Sequence, residues 1–518
     1  MDSVKDQLNE LAHDFFGINY LYPYQRLVIS NILSAAEKTG EALPGQIVIL
    51  PTGYGKSLCY MLPSLILEKT TMVLSPLLSL VKDQERRLKK AGIDVSVLTG
   101  SLSREEKMRS IEDVISGKCR ILLTNPESLI SAAVSYFKPD KSNNPVISHI
   151  VVDEAHTIPE WGETFREALL KTGEIIDIIK PDCVTAFTAT ATSAIFDKIR
   201  KYLFGESQVN IIAGSPDRSN IFYSVYPTIC IDRETALLAQ KGEKPLLIFC
   251  RSRTDTELTA RMLRSSLGSD EIFFYHAGLE KSEKEKVEKW FFSSGSGILA
   301  ATCAYGLGID KPDIRTVIHR GPPGSVEAYL QESGRAGRDG ELSKAVLLYN
   351  KSAQTGNNPT VKADAGVSTS YSKIKKFQLS RLNQMIDYAE NRSICRREKL
   401  LSFFSDEIPY CSGCDICSGT EADSPAGAAE IIKLIKANNR KLTGKEVAQI
   451  LTGFGSEGIR KMWQSFSDSY CSLEGWQPDE IMEGLDNLEK SGAVKKGKLF
   501  WKNIYSAHTE SYRKFMPN

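Results

Sequence analysis

Ten short runs of β-branched and aliphatic residues, each followed by a polar loop and a helical segment, constrain this chain more than any other feature. They are IVILP (47–51), TMVLSP (71–76), RILLTNP (120–126), HIVVDE (149–154) and VTAFTAT (184–190), then PLLIFCRS (245–252), EIFFYHAG (271–278), GILAAT (297–302), TVIHRG (316–321) and AVLLYN (345–350). Near-continuous apolar runs mark strands buried on both faces, as parallel sheets covered by helices require. The two series predict two doubly wound α/β sheets, with ligand sites at the carboxyl ends of the strands. Residues 205–220 read as the join between them.

Length and composition narrow the class. A chain of 518 residues has room for about three to four domains. It is 42% hydrophobic and 25% charged, and no apolar run approaches the ~18 residues of a membrane span. The N-terminal MDSVKDQLNELAHDFFG is amphipathic and has no apolar signal-peptide core. Cys183 and Cys250 lie in apolar runs, which suits a reducing cytosol better than a secreted disulfide framework. The net charge of +1 says nothing about nucleic acid, so any binding groove has to be local.

The loop after the first run is Leu50-Pro51-Thr52-Gly53-Tyr54-Gly55-Lys56-Ser57, between a strand and a helix. That context makes it a phosphate loop: Thr52, Gly53 and Gly55 let backbone N–H groups curl around phosphates, Lys56 reaches the β/γ oxygens, and Ser57 ligates Mg²⁺. Val151-Val152-Asp153-Glu154-Ala155-His156 ends another apolar run about a hundred residues on. Asp153 is assigned to the metal and Glu154 to polarising the attacking water. Gln331-Glu332-Ser333-Gly334-Arg335-Ala336-Gly337-Arg338-Asp339-Gly340 brings two arginines three apart, expected at a helix start. Arg338 is the first choice for an arginine finger, with Arg335 a phosphate or relay contact.

Cys395, Cys411, Cys414 and Cys417 follow at spacing C-x15-C-x2-C-x2-C. Four thiolates so placed fit a closed structural Zn²⁺ site. A helical stretch over 372–404 is expected to lead into them, after a connector at 351–370 without apolar periodicity. Beyond a second linker at 418–427, Thr443 and Glu446 form a capping box, and KKGK is expected to turn a hairpin into LFWKN. Two readings stand for this region, a small winged-helix module or a helical appendage that packs on the rest. Lys495, Lys496 and Lys498 at the hairpin tip, with Phe500 and Trp501 after them, either meet DNA or form a solvated turn anchored by its aromatics.

Together these motifs resemble the RecQ family of ATP-dependent DNA helicases over roughly residues 8–417. Leu74 to Gln84 (LSPLLSLVKDQ) is similar to the motif by which that family contacts single-stranded DNA, which puts Ser75 and Pro76 on the strand. Thr188-Ala189-Thr190-Ala191, Asp217-Arg218-Ser219-Asn220, Tyr275-His276-Ala277-Gly278-Leu279 and the segment Thr302 to Pro312 also match, and the last implies nucleotide contacts for Gly308 and Asp310. Trp161-Gly162-Glu163-Thr164-Phe165-Arg166 resembles the family's aromatic-rich loop. There Trp161 and Phe165, beside Arg166, would stack on unpaired bases at about 1–3 kcal/mol per base, unless the aromatics are buried.

The chain departs from the family in three places. In the N-terminal adenine motif Gln25 is present, but Ile18 replaces the stacking aromatic and Tyr22 an arginine, leaving Tyr20 or Tyr22 to supply the stack. Glu163 stands where many relatives carry His. Residues 418–518 leave room for one short winged-helix candidate and none for a further helical nucleic-acid-binding domain.

The resemblance implies two tandem RecA-like doubly wound domains (1–210, which binds ATP, and 211–350), a connector with a helical zinc-binding segment (351–417) and a winged-helix-like C-terminal module (428–518). It implies a 3′→5′ DNA helicase of repair or recombination, using ATP, Mg²⁺ and Zn²⁺ on single-stranded DNA and on duplex DNA with a single-stranded tail. The expected place is the cytoplasm, on the nucleoid in a bacterium, with a nuclear place left open. An ATP-gated translocase that does not unwind and a DExH RNA helicase are the alternatives.

Overall fold

The computed structural model describes residues 2–38, 42–51, 54–139, 146–163, 166–189, 191–303, 311–351, 369–404, 410–422, 424–454, 469–497 and 504–507. The chain divides into two compact units, one built on Met1–Arg218 and one on Ser219–Tyr305, Lys311–Leu400 and Ile408–Asn518.

The first unit holds a seven-stranded, all-parallel sheet. Its strands are β1 (Gly45–Ile49), β2 (Thr70–Leu74), β3 (Val95–Leu98), β4 (Ile121–Thr124), β5 (Ile147–Val152), β6 (Cys183–Thr188) and β7 (Asn210–Ala213), in the order β3-β4-β2-β5-β6-β1-β7. Successive residues feed opposite faces. Ile47, Met72, Leu122 and Ile150 join one apolar core, and their neighbours Val48, Val73, Leu123 and Val151 join another. That period-two split explains why the runs look uninterrupted in sequence: both faces are covered by helices. β3 and β7 are the strands not read from sequence. β3 is only half-buried, and β7 lies in the segment read as the join, where it pairs with β1.

The second unit repeats the plan with six parallel strands, β8 (Ile221–Pro227), β9 (Leu246–Phe249), β10 (Ile272–Tyr275), β11 (Ile298–Ala301), β12 (Thr316–His319) and β13 (Ser343–Tyr349), ordered β10-β11-β9-β12-β13-β8. β8 is an edge strand, with backbone groups that would otherwise face solvent. The cysteine segment covers it: Tyr223 N–H donates to the Gly413 carbonyl (3.4 Å), and Val225 N–H to Asp415 Oδ2 (2.9 Å).

The single helical stretch expected over 372–404 is two helices, Thr369–Glu390 and Arg396–Ser402. Asn391 separates them, because its side-chain oxygen accepts from the N–H groups of Ser393 (3.4 Å) and Ile394 (3.1 Å) and so competes with helix continuation.

The C-terminal part has helices Ala428–Ala437, Gly444–Thr452 and Pro478–Lys490 and an antiparallel pair, β14 (Val494–Lys496) with β15 (Tyr505–Ala507). Thr443 caps its helix as expected, its hydroxyl accepting from Glu446 N–H (3.4 Å) while Glu446 Oε2 accepts from Thr443 N–H (2.7 Å). Lys498, Phe500 and Trp501 lie outside the described residues, as do most of the 351–370 connector and LFWKN.

This module shares its core with Ile229 and Cys230, just past β8. Asn487 Nδ2 donates to the Ile229 carbonyl (2.8 Å), and Glu483 takes Ile231 N–H (3.2 Å) and Cys230 Sγ (3.0 Å). The Arg233 guanidinium lies 4.4 Å from the Trp476 ring centroid and donates to Glu480 (3.0 Å). Trp476→Ala is expected to cost about 3–5 kcal/mol of the second unit's stability. Arg233→Ala, which removes the cation from the indole face, should cost about 0.5–2 kcal/mol. Denaturant unfolding followed by circular dichroism measures both, and unchanged midpoints would show that the module does not depend on this contact.

Candidate functional site

β1, β5 and β6 are neighbours in the first sheet, so three segments far apart in sequence emerge at one carboxyl edge. The backbone ties them there: Leu50 N–H donates to the Thr188 carbonyl (3.0 Å), Ala155 N–H to Phe187 (2.8 Å) and Asp153 N–H to Leu74 on β2 (2.9 Å). The loop leaving β1 turns at Gly55, whose φ of +69° disfavours any side chain, and a Cβ there would sit 2.7 Å from Gln25 Nε2. Thr52 and Gly53 lie outside the described residues. Lys56 Nζ is buried and has no hydrogen-bond partner among the described residues, and Ser57 is half-buried just before the helix Leu58–Ile66. A buried ammonium without an acceptor is costly in isolation and fits an anion such as a phosphate.

Across the edge, burial and the nearby Glu154 carboxylate push the Asp153 carboxyl up to about 6, opposed by the Lys56 charge. Gln84 Nε2 donates to Asp153 Oδ2 (3.2 Å) and also to Tyr60 OH (2.8 Å). Glu154 has a φ of +50°, a left-handed backbone that costs a non-glycine residue about 1–3 kcal/mol and is typical of functional sites. His156 Nδ1 lies 3.0 Å from Thr188 Oγ1 and 3.4 Å from Glu154 Oε2. A buried carboxylate held in its less favoured charged state beside a second carboxylate suits a divalent cation.

Tyrosines crowd the phosphate loop on the side of the N-terminal motif. Gln25 is buried, its Oε1 accepting Tyr22 N–H (2.9 Å) and its Nε2 donating to the Tyr54 carbonyl (3.4 Å). Tyr24 OH donates to the same carbonyl (3.1 Å). Tyr22, 53% exposed, lies parallel to Tyr24 with centroids 5.5 Å apart, and Tyr20 meets its edge at 5.6 Å. Ile18 packs into the core instead.

The expected DNA contacts are differently placed. Ser75 and Pro76 are buried at the end of β2. The Arg166 guanidinium takes both oxygens of Glu127, at 2.5 and 2.9 Å, and donates to the Pro76 carbonyl, so the aromatic loop is tied to the segment after β2. That pairing holds the Glu127 carboxyl below its usual range. Trp161 is half-buried against the first-sheet core, within a π-helical turn over Ile158–Gly162. Phe165 lies outside the described residues.

In the second unit the arginine pair does not begin a helix. Ser325 caps the helix Val326–Ser333 by accepting Ala328 N–H (3.1 Å), and Arg335 and Arg338 follow its end in a turn through Gly337, whose φ is +54°. The turn is packed from below: Asn220 Nδ2 donates to the Gly337 and Glu341 carbonyls, both at 2.8 Å. Arg335 is buried and Arg338 half-buried. Gly308 and Asp310 lie outside the described residues.

The four cysteines converge, all four Sγ atoms lying within 4.8 Å of one another and Cys395 and Cys414 3.8 Å apart. Tetrahedral zinc with bonds of about 2.3 Å needs sulfurs roughly 3.8 Å apart, so the cluster fits the ion. Burial works against the Cys414 thiolate, but donors from Cys417 and Arg396 outweigh it and hold that thiol below its ordinary value.

Sequence reading missed what holds this cluster to β8. Asp415, between two ligands, accepts from Arg396 Nε (2.9 Å) as well as from Val225, and the buried Arg397 guanidinium donates to the Ile221 carbonyl. Arg396 and Arg397 after Cys395 and Asp415 after Cys414 were the available signal, since a buried charge needs a partner. Lys495 is exposed on β14, whereas the Lys496 ammonium lies over the Tyr505 ring at 5.7 Å.

Comparisons with known proteins agree with this geometry. Family models match as DEAD/DEAH box helicase over residues 22–198, helicase conserved C-terminal domain over 230–340 and RecQ zinc-binding over 360–418. ATP-dependent DNA helicase RecQ of Haemophilus influenzae is 34% identical over 497 residues, covering 89% of this chain and 77% of the relative. ATP-dependent DNA helicase hus2/rqh1 of Schizosaccharomyces pombe is 33% identical over 429 residues, covering 80% of this chain but only 32% of that protein. Among solved structures, the helicase MrfA bound to DNA superposes with a TM-score of 0.54 at 16% identity, over 98% of this chain and 63% of that one. No described helix is long and apolar enough to cross a membrane.

Four thiolates would fill a tetrahedral site and leave no position for water, so a zinc held here would be structural, and elemental analysis should find about one zinc per chain. Cys411→Ser or Cys414→Ser should make residues 390–417 protease-sensitive while the first unit keeps its fold. Folded, reductively purified protein without zinc would remove the assignment.

Proposed function

The chain belongs to the RecQ family of ATP-dependent DNA helicases, and we propose that it moves 3′→5′ on single-stranded DNA and opens the duplex ahead, serving repair or recombination. The observation that supports the ATP-driven part of this reading is the placement of Lys56 after β1 and of Asp153 and Glu154 after β5, on the two sides of β6 at one carboxyl edge. Lys56 holds the β/γ oxygens, and Ser57 and Asp153 hold Mg²⁺. Bound Mg²⁺ supplies charge neutralisation on the transferring phosphate. Glu154, its backbone fixed in the left-handed region, orients the attacking water, and His156 links it to Thr188 at the end of β6.

Arg335 and Arg338 are the second unit's candidates for phosphate contact, a role that the family resemblance implies. Tyr22 supplies the stacking face for the base, in place of the family's aromatic, and the remaining lone pair and N–H of Gln25 read its edge. Trp161 and Arg166 report DNA occupancy to this site, and Lys495, exposed on β14, offers its ammonium to a duplex phosphate. The reduced thiols and DNA substrate suit the compartment that holds the chromosome.

The work demanded is modest, about 1.4 kcal/mol of stacking per base step. Purified protein with ATP and Mg²⁺ should separate a duplex bearing a 3′ single-stranded tail and leave one with a 5′ tail paired. Separation of neither would leave a DNA-stimulated ATPase that translocates without unwinding. Lys56→Ala should lose ATP hydrolysis while still binding single strands, and Glu154→Gln should bind ATP without cleaving it. Near-normal turnover in either variant contradicts the assigned site.

A further inference from the structure

Glu163 uses both of its carboxylate oxygens. Oε2 lies 2.7 Å from Lys198 Nζ, and Oε1 accepts from Tyr202 OH at 2.9 Å. Lys198 and Tyr202 are four residues apart, one turn of the helix Ser193–Phe204, whose Ile195, Ile199 and Leu203 pack in the core that Trp161 also touches. Burial, then the Glu163 charge, raises the Tyr202 phenol above its ordinary value, so the phenol remains a donor.

The loop is therefore gripped at both ends by one stretch of chain. At its start His156 lies 3.0 Å from Thr188 Oγ1, at the end of β6. At its far side Glu163 holds the helix that begins five residues after Thr188. Between them lies the π-helical turn Ile158–Gly162, and beyond Glu163 the Arg166 N–H donates back to the Trp161 carbonyl (2.9 Å).

We propose that Glu163 is a positioning residue, a latch that fixes the Trp161 loop to the helix Ser193–Phe204 so that DNA at the loop changes the geometry of the hydrolytic strand ends. This rests on the reading of the loop as the DNA sensor. The physical case is that a loop conveys occupancy only if it moves as one body with what it acts on. Without the latch, Trp161 would keep its packing and Arg166 its bonds to Glu127 and Pro76, and the loop would lose its tie to the helix Ser193–Phe204. The latch contributes little to stability, because both partners of the ion pair are partly exposed to solvent. Its loss should therefore be read in coupling, with the fold intact.

The test is ATP turnover against the concentration of an oligothymidylate, for the wild type, Glu163→Gln, Lys198→Met, Tyr202→Phe and Glu163→Gln/Lys198→Met. We expect the ratio of DNA-stimulated to basal turnover to fall about five-fold in Glu163→Gln and Lys198→Met, and less in Tyr202→Phe, which keeps the ion pair. Basal turnover, KM for ATP and the melting temperature should stay near wild type. The double variant should be no worse than the worse single one, since all remove one interaction. Basal and stimulated rates falling together, or unchanged stimulation in every variant, overturn the latch while leaving the helicase reading intact. A wild-type protein indifferent to the oligonucleotide overturns the DNA-sensing reading and this proposal with it.

Discussion

Burial of the central strands on both faces is the constraint on which the rest depends. Within β5 every residue is buried, so its polar side chains are carried neutral and bonded: Ser148 Oγ donates to the Lys69 carbonyl (3.4 Å), and His149 has its ring bonded to Thr185 and its pKa pushed down to about 3 by burial. Chemistry is forced to the carboxyl edge, where loops begin. The strand order then decides which loops meet. β1 lies beside β6, and β6 beside β5, so a phosphate loop, a carboxylate pair and a threonine from distant parts of the chain become neighbours. The cost appears where it is useful, as an unpartnered Lys56 ammonium, a crowded Asp153 and a left-handed Glu154.

The second unit shows the same constraint at a sheet edge. β8 is left with an open side, and the zinc segment closes it through Gly413 and Asp415, while the C-terminal module grows from the residues just beyond. The four converging thiols could hold a metal there, which would add rigidity to a cluster with little apolar core of its own. Asp415 and Arg396 tie that rigidity into the unit, each within one residue of a ligand and buried against the other. The zinc segment is thus part of the second unit's architecture.

Much of this was legible in the chain. Buried parallel strands announce themselves as apolar runs, and motif-bearing loops follow them, so both sheets and the converging segments were readable. What escaped depends on pairing that no local pattern encodes. β3 is too exposed to stand out, β7 looked like a join, and the arginine pair was given to a helix start because its capping serine lies ten residues before Arg335. Nor could the sequence reveal that Arg166 is occupied by Glu127, thirty-nine residues away, or that Glu163 is held by Lys198 and Tyr202. Near the N-terminal motif three tyrosines spaced two apart were visible in sequence, whereas the parallel contact of Tyr22 with Tyr24 and the packing of Ile18 against the core were not.

The account makes the first unit an ATPase whose loops at one sheet edge answer to DNA. Turnover measured with single-stranded DNA and with RNA of the same sequence tests that most directly. Strong stimulation by DNA and little by RNA is the predicted result. Equal or greater stimulation by RNA would contradict it and make this sheet edge the engine of an RNA-dependent enzyme.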